Sequence, residues 1–120
     1  MRLPLYVYVA GPLSGSPGEY LANVAAMSSY CRMLMDAGSC PINPAGDILE
    51  GLARETPMPT AQYQLRSMHL LRLLEGRSDA ALHVLGWHHR DGIVSAGVAA
   101  EVAEAERLGI PVVYVGSDGA

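Results

Sequence analysis

Cysteine, basic charge and long apolar runs are all scarce in this chain of 120 residues. Its two cysteines, Cys31 and Cys40, stand apart, which excludes a disulfide framework and the close pairing of a zinc site; both read as reduced core thiols. Lys and Arg number 8 against 12 Asp and Glu, a formal charge of −4. No broad basic surface is therefore available to displace counterions from a nucleic acid polymer. A single small anion remains possible, because backbone amides at a helix start hold one without Lys or Arg. No apolar stretch approaches the roughly 20 residues that span a bilayer. The start has one basic residue and a short apolar run broken by Pro4 and Gly11, a poor signal sequence, and the expected location is cytoplasmic. Repeats and low-complexity tracts are also missing. Half of the residues are apolar, enough for one core, and a single domain over 1–120 is expected.

Residues 3–10 form a nearly unbroken apolar run rich in Tyr and Val, the pattern of a strand buried on both faces of a parallel sheet. Ser16 and Glu19, with Pro17 between them, make a capping box for a helix running to about residue 37. Its expected apolar face is Leu21, Val24, Met27, Leu34 and Met35, and Gly38 ends it. Residues 39–43 read as a second strand. The tract 44–59 turns irregular, with two glycines and three prolines, and reads as a functional loop with room for a short helix. A helix follows over 60–75, carrying Leu65, Met68, Leu71, Leu73 and Leu74, and stops at Gly76. Residues 79–86 form a third strand interrupted only by His83, 95–108 a helix closed by Gly109 and Pro111, and 110–115 a fourth strand. This alternation predicts an α/β fold, a Rossmann-like or flavodoxin-like three-layer sandwich around a parallel sheet of four to five strands. In such sheets the ligand lies beyond the carboxyl ends of the strands, which places residues 11–15, 43–44, 87–94 and 115–118 around one crevice.

The first loop lacks the dinucleotide fingerprint, so no nicotinamide cofactor is expected. Gly11, Leu13, Ser14 and Gly15 still bring glycines and a hydroxyl between a buried strand and a helix start, where amides approach an anion closely. A tight connecting turn would explain the same residues. Over residues 95–101, Ser95 suits an N-cap, and Gly97 and Glu101 share one helical face with small residues around the carboxylate. That space would admit a sugar; alternatively, Glu101 is a solvated acid near a helix start. Asn43 and Pro44 would shape the pocket wall, and Trp87 would stack on a base or close the core. The acids Asp91, Glu101, Glu104 and Glu106 are spread over different faces, and no metal site is expected.

The Y-V-A-G-P-L-S-G start, the P-I-N-P step, the G-W after the third strand and S-A-G-V-A-A-E followed by A-x-x-x-G-I-P-V together resemble the nucleoside 2-deoxyribosyltransferase-like superfamily. The likeness runs from Tyr6 to Val115 and is nearest to short bacterial and phage members, with a relation to the deoxynucleoside 5′-monophosphate N-glycosidases. The resemblance implies that Glu101 attacks the anomeric carbon of a 2-deoxyribose and that Tyr8 orients it. Ser95, Gly97, Leu13, Ser14 and Gly15 would hold the 5′ end of a small nucleoside or nucleotide. It also implies a homo-oligomer, dimer or tetramer, and no cofactor.

Cleavage of an N-glycoside passes through an oxocarbenium-like state, which wants an anion under the sugar and a proton donor at the departing base. Members of the superfamily usually carry an aspartate early in the helix before the third strand. Here the apolar register puts His69 at that point, and no aspartate occurs between Asp47 and Asp79. His69 is the first candidate donor, since its ordinary pKa lies near working pH, although it would equally suit the helix surface. His88, His89 and Asp91 are rivals in the loop after Trp87. The departure keeps a second class of function open, a nucleotide-binding sensor or sequestering module with little or no catalysis.

Overall fold

The computed structural model describes residues 4–11, 17–56, 58–86 and 96–115. The chain forms β1 (Tyr6–Ala10), α1 (Pro17–Asp36), β2 (Cys40–Ile42), a 3-10 turn (Pro44–Gly46), α2 (Asp47–Leu52), α3 (Thr60–Arg72), β3 (Ala80–Leu85), α4 (Ala96–Arg107) and β4 (Val112–Val115). The four strands make one parallel sheet in the order β2-β1-β3-β4. Tyr8 stands beside Ile42 on one side and Leu82 on the other, and Leu82 in turn beside Val112.

Alternation along the strands divides the core into two clusters and produces the three layers. Val7 and Val9 point to one face, where Met27, Cys31 and Leu34 of α1 cover them. Tyr8, Ala10, Leu82 and Val84 point to the other, under Leu71 at the end of α3, Leu74 just beyond it, and Val98, Val102 and Ala105 of α4. Val7 to Ala10 expose no surface, as an inner strand covered from both sides requires. This is the Rossmann-like or flavodoxin-like sandwich expected from the alternation of elements, with four strands. His83, the polar interruption of β3, lies on the α1 face and is satisfied by the Tyr30 hydroxyl 2.6 Å from its Nδ1. Burial holds its pKa below the ordinary histidine value.

The helix ends follow their glycines. At Gly38, with φ of 95°, the chain turns so that the Ser39 amide donates to the Leu34 carbonyl at 2.9 Å. Gly109 repeats the device after α4, where the Ile110 amide donates to the Ala105 carbonyl at 2.8 Å. Both are Schellman closures, which favour a residue free to take positive φ.

Several details differ from the sequence-based expectations. Cys31 is buried but Cys40 is exposed on the edge strand β2, so only one of the two is a core thiol. On α1 the buried stripe is Met27, Cys31 and Leu34 with Val24 partly covered, whereas Leu21 and Met35 are exposed. Met35 follows Leu34 and is turned about 100° away from the sheet. Leu65 on α3 and Leu73 just beyond it are likewise exposed, and Ser67 of α3 takes a buried place. That helix ends at Arg72, three residues short of the expected 75. The tract 44–59 is more regular than its composition implied, since it holds the 3-10 turn and α2. The Ser16 half of the expected capping box lies outside the described residues. Among the described residues no helix is long and apolar enough to cross a membrane.

Candidate functional site

Tyr8 lies in β1, on the face toward α3 and α4, so its ring is fixed within the larger core cluster. Glu101 lies on the second turn of α4, between Val98 and Val102, both of which pack into that cluster. The helical phase that buries those two valines carries the carboxylate inward with them, and Glu101 is only 9% exposed. The two side chains meet: the Tyr8 hydroxyl donates to Glu101 Oε2 at 2.5 Å. Glu101 is therefore not a solvated acid near a helix start.

Burial dominates the electrostatics of this pair. Desolvation pushes the Glu101 carboxyl up to about 7, against an ordinary 4.5, while the hydrogen bond from Tyr8 pulls it back part of the way. The Tyr8 hydroxyl is raised far beyond the usual tyrosine range, first by burial and then by the Glu101 charge, so it remains a proton-bearing donor at any working pH. Ser67 of α3, itself buried, places its hydroxyl within hydrogen-bonding reach of the Tyr8 oxygen and partly offsets that rise. The result is a short relay running Ser67, Tyr8, Glu101 across three elements.

A cleft of about 630 Å³ lies between α2 and α3. Asp47 and Glu50 of α2 face Gln62, Tyr63, Arg66 and His69 of α3 across it. Arg66 pairs with Asp47 at 3.0 Å, the Tyr63 hydroxyl donates to Glu50 Oε2 at 2.7 Å, and Arg54 pairs with Glu50. Neither Tyr8 nor Glu101 lines the cleft. Burial raises the Asp47 carboxyl above the usual aspartate range, with Arg66 opposing and Glu50 adding to the rise.

Of the other residues singled out in the sequence, Gly97 stands half-buried one turn before Glu101 on the same face of α4. Gly11 is buried at the end of β1, where an added Cβ would come 3.1 Å from Met27 Sδ and 3.3 Å from the Leu85 carbonyl oxygen. That close approach is a packing reason for glycine which the sequence did not reveal. Asn43 caps the 3-10 turn, its Oδ1 accepting from the Ala45 amide at 3.1 Å. His69 is exposed on the wall of the cleft, which neither Tyr8 nor Glu101 lines. Leu13, Ser14, Gly15, Trp87, His88, His89, Asp91 and Ser95 lie outside the described residues. Among the described residues no three His, Cys, Asp or Glu side chains gather to hold a metal ion.

Sequence reasoning missed Ser67. Ser67 offered a signal, a small polar residue at the phase of Leu71 and Leu74, where a helix facing a core calls for an apolar one. No protein-family model matches the chain, and no curated protein is significantly similar to it.

Proposed function

We propose that this protein cleaves the N-glycosidic bond of a small deoxynucleoside or deoxynucleotide, by hydrolysis or by transfer of the 2-deoxyribosyl group, with Glu101 as nucleophile. The supporting observation is the buried Glu101 carboxylate held by one hydrogen bond from Tyr8. A buried acid with a strongly shifted pKa and no basic partner among the described residues costs stability, and such groups concentrate where chemistry needs them. The resemblance of the sequence to the nucleoside 2-deoxyribosyltransferase-like superfamily points to the same glutamate and the same tyrosine.

In this reading a Glu101 oxygen attacks C1′ as the bond to the base nitrogen breaks. The base leaves with a proton, and the sugar is held as an ester of Glu101. Water, or the nitrogen of a second base, then attacks C1′ and frees the carboxylate. Tyr8 keeps the attacking carboxylate oriented and stabilises its negative charge before attack and after release. The lack of a 2′ hydroxyl makes the cationic transition state of a deoxyriboside easier to reach. No electrons change hands in either step, so the chemistry calls for no redox cofactor. His69, which lines the cleft between α2 and α3, is the donor the sequence register favours.

The test is incubation of the purified protein with a panel of deoxynucleosides and deoxynucleoside monophosphates, following free base by chromatography beside a Glu101→Ala control. Base release that vanishes in the control supports the reading. A folded protein that releases no base from any of them is instead a nucleotide-binding module. The homo-oligomer implied by the resemblance belongs to the same proposal; light scattering of the purified chain reads it directly, and Val113 and Tyr114, exposed on the edge strand β4, offer one apolar surface for it.

A further inference from the structure

We infer that Ser67 of α3 is a positioning residue for the nucleophile: its hydroxyl donates a hydrogen bond to the Tyr8 oxygen and so fixes the direction and strength of the bond that Tyr8 gives to Glu101. Its consequence for rate rests on the glycoside-cleaving reading above; the arrangement itself can be measured without substrate.

Burial and helical phase place the residue. Ser67 is 8% exposed, and Leu71 and Leu74, four and seven residues further on, pack into the core cluster that holds Tyr8. A stripe of this kind calls for an apolar side chain, and a hydroxyl set there costs free energy unless it finds a partner. Every buried side-chain nitrogen and oxygen among the described residues has one. For Ser67 it is the Tyr8 hydroxyl. That phenol has a single proton, which goes to Glu101 Oε2 at 2.5 Å. The Tyr8 oxygen can therefore only accept from Ser67, and the donors run in one direction, from α3 through β1 to α4. With Oε2 held in this way, the other carboxylate oxygen is the one offered to C1′.

A hydroxyl that itself accepts a hydrogen bond donates more strongly, because each bond polarises the next. Ser67 therefore adds to the support of the ionised carboxylate, in the same sense as Tyr8, which holds the Glu101 carboxyl below the level that burial alone would give. Few other titratable groups reach the pair from the elements around it. Asp47, at the start of α2, has the smallest of the influences on Tyr8. On β3, His83 lies on the opposite face of the sheet. On α4, Glu104 is turned to Arg72 and Arg107, and on α3 itself Arg66 and His69 are exposed on the cleft wall. The competing account makes Ser67 a space-saving residue against Tyr8, a role in which alanine would serve as well.

The experiment follows the Glu101 carboxyl across pH by carbon-13 NMR of protein labelled in its glutamate side chains, with the signal assigned by its loss in Glu101→Gln. Wild type, Ser67→Ala, Ser67→Thr, Tyr8→Phe and the Ser67→Ala/Tyr8→Phe double variant are compared, with thermal melts for each and base release from deoxynucleosides measured over the same pH range. We expect the Glu101 titration to move to higher pH in Ser67→Ala, by less than in Tyr8→Phe, and to return toward wild type in Ser67→Thr. In base release Ser67→Ala should lose about two- to tenfold in kcat/KM on the acidic side, the effect of one neutral hydrogen bond, with the acidic limb moved the same way. In the Tyr8→Phe background the serine substitution should change neither, because its effect passes through the phenol. Ser67→Cys, which fills a similar volume with a weak donor, makes the same comparison should Ser67→Ala not fold. An unmoved Glu101 titration, or a shift of equal size with and without the Tyr8 hydroxyl, overturns the inference. A wild type that titrates as expected but releases no base overturns the glycoside-cleaving reading and leaves the Ser67 arrangement standing.

Discussion

At the scale of single residues, a phenol rather than a cation stands against Glu101 among the described residues, and its ionised form is supported there by one strong hydrogen bond. Attack on C1′ needs the carboxylate, and the carboxyl titrates at about 7, so kcat/KM should rise about tenfold per pH unit below 7 and level off above it. Tyr8→Phe removes a hydrogen bond to a charged group, worth roughly 1.5–3 kcal/mol, or about tenfold to a hundredfold in rate. Because Tyr8 lowers the Glu101 pKa, the acidic limb of the variant should also move to higher pH. Rates of base release across pH read both effects, and a limb that stays in place would show that another group titrates there. Tyr8 and Glu101 were singled out through the resemblance, whose motifs contain both; the local pattern alone gave Tyr8 only a place in a buried strand and left Glu101 open as a solvated acid. The cleft between α2 and α3, with its Arg66–Asp47 pair, was not legible, because it depends on which way α2 lies across α3, a tertiary fact that no local spacing encodes.

At the scale of elements, the strands and helix stops were readable because burial on both faces and positive φ leave direct marks on residue choice. β1 shows as an apolar run, and Gly38 and Gly109 stand where the chain must turn. Helix faces were less readable. Leu and Met signal an apolar stripe whether they are buried or exposed, while the residues that fix the phase of α1 include Cys31 and those of α3 include Ser67. Gly11 shows how a packing requirement can imitate an anion loop. Its missing Cβ lets the end of β1 pass between Met27 and the Leu85 carbonyl. Met27 can give way, but a backbone oxygen at 3.3 Å cannot do so cheaply. Gly11→Ala should therefore cost about 1–3 kcal/mol in urea unfolding, the range for overpacking a dense core. An unchanged midpoint would mean that α1 slides freely over β1, and the glycine would then be better explained by ligand binding.

At the scale of the whole molecule, the same buried carboxyl should be visible as a pH-dependent loss of stability. The folded state holds the Glu101 proton to about pH 7, while the unfolded chain releases it near 4.5. Between those values the folded state binds more protons, so its stability contribution is fully present below about 4.5, falls as pH rises and is gone above about 7. The full swing is on the order of 3 kcal/mol. Other groups titrate in the same range. The Asp47 carboxyl, raised by burial, adds a fall of the same sign, whereas His83, held neutral by burial, loses stability as pH drops. Glu104, which ties Arg72 of α3 to Arg107 of α4, is lowered to about 2 by its hydrogen bonds to both, and its contribution disappears as pH falls from 4.5 toward 2. The quantity that isolates Glu101 is the difference between wild type and Glu101→Gln, measured by urea unfolding at several pH values. Glutamine keeps the shape and the hydrogen bond to Tyr8 without a charge to desolvate. The variant should match wild type near pH 4.5 and exceed it progressively up to pH 8, while base release is abolished. A stabilising change that removes activity is the signature of a residue kept for chemistry against the interest of the fold. A difference that stays flat across pH would mean that Glu101 is ionised throughout, and a nucleophile poised near neutrality would then be excluded.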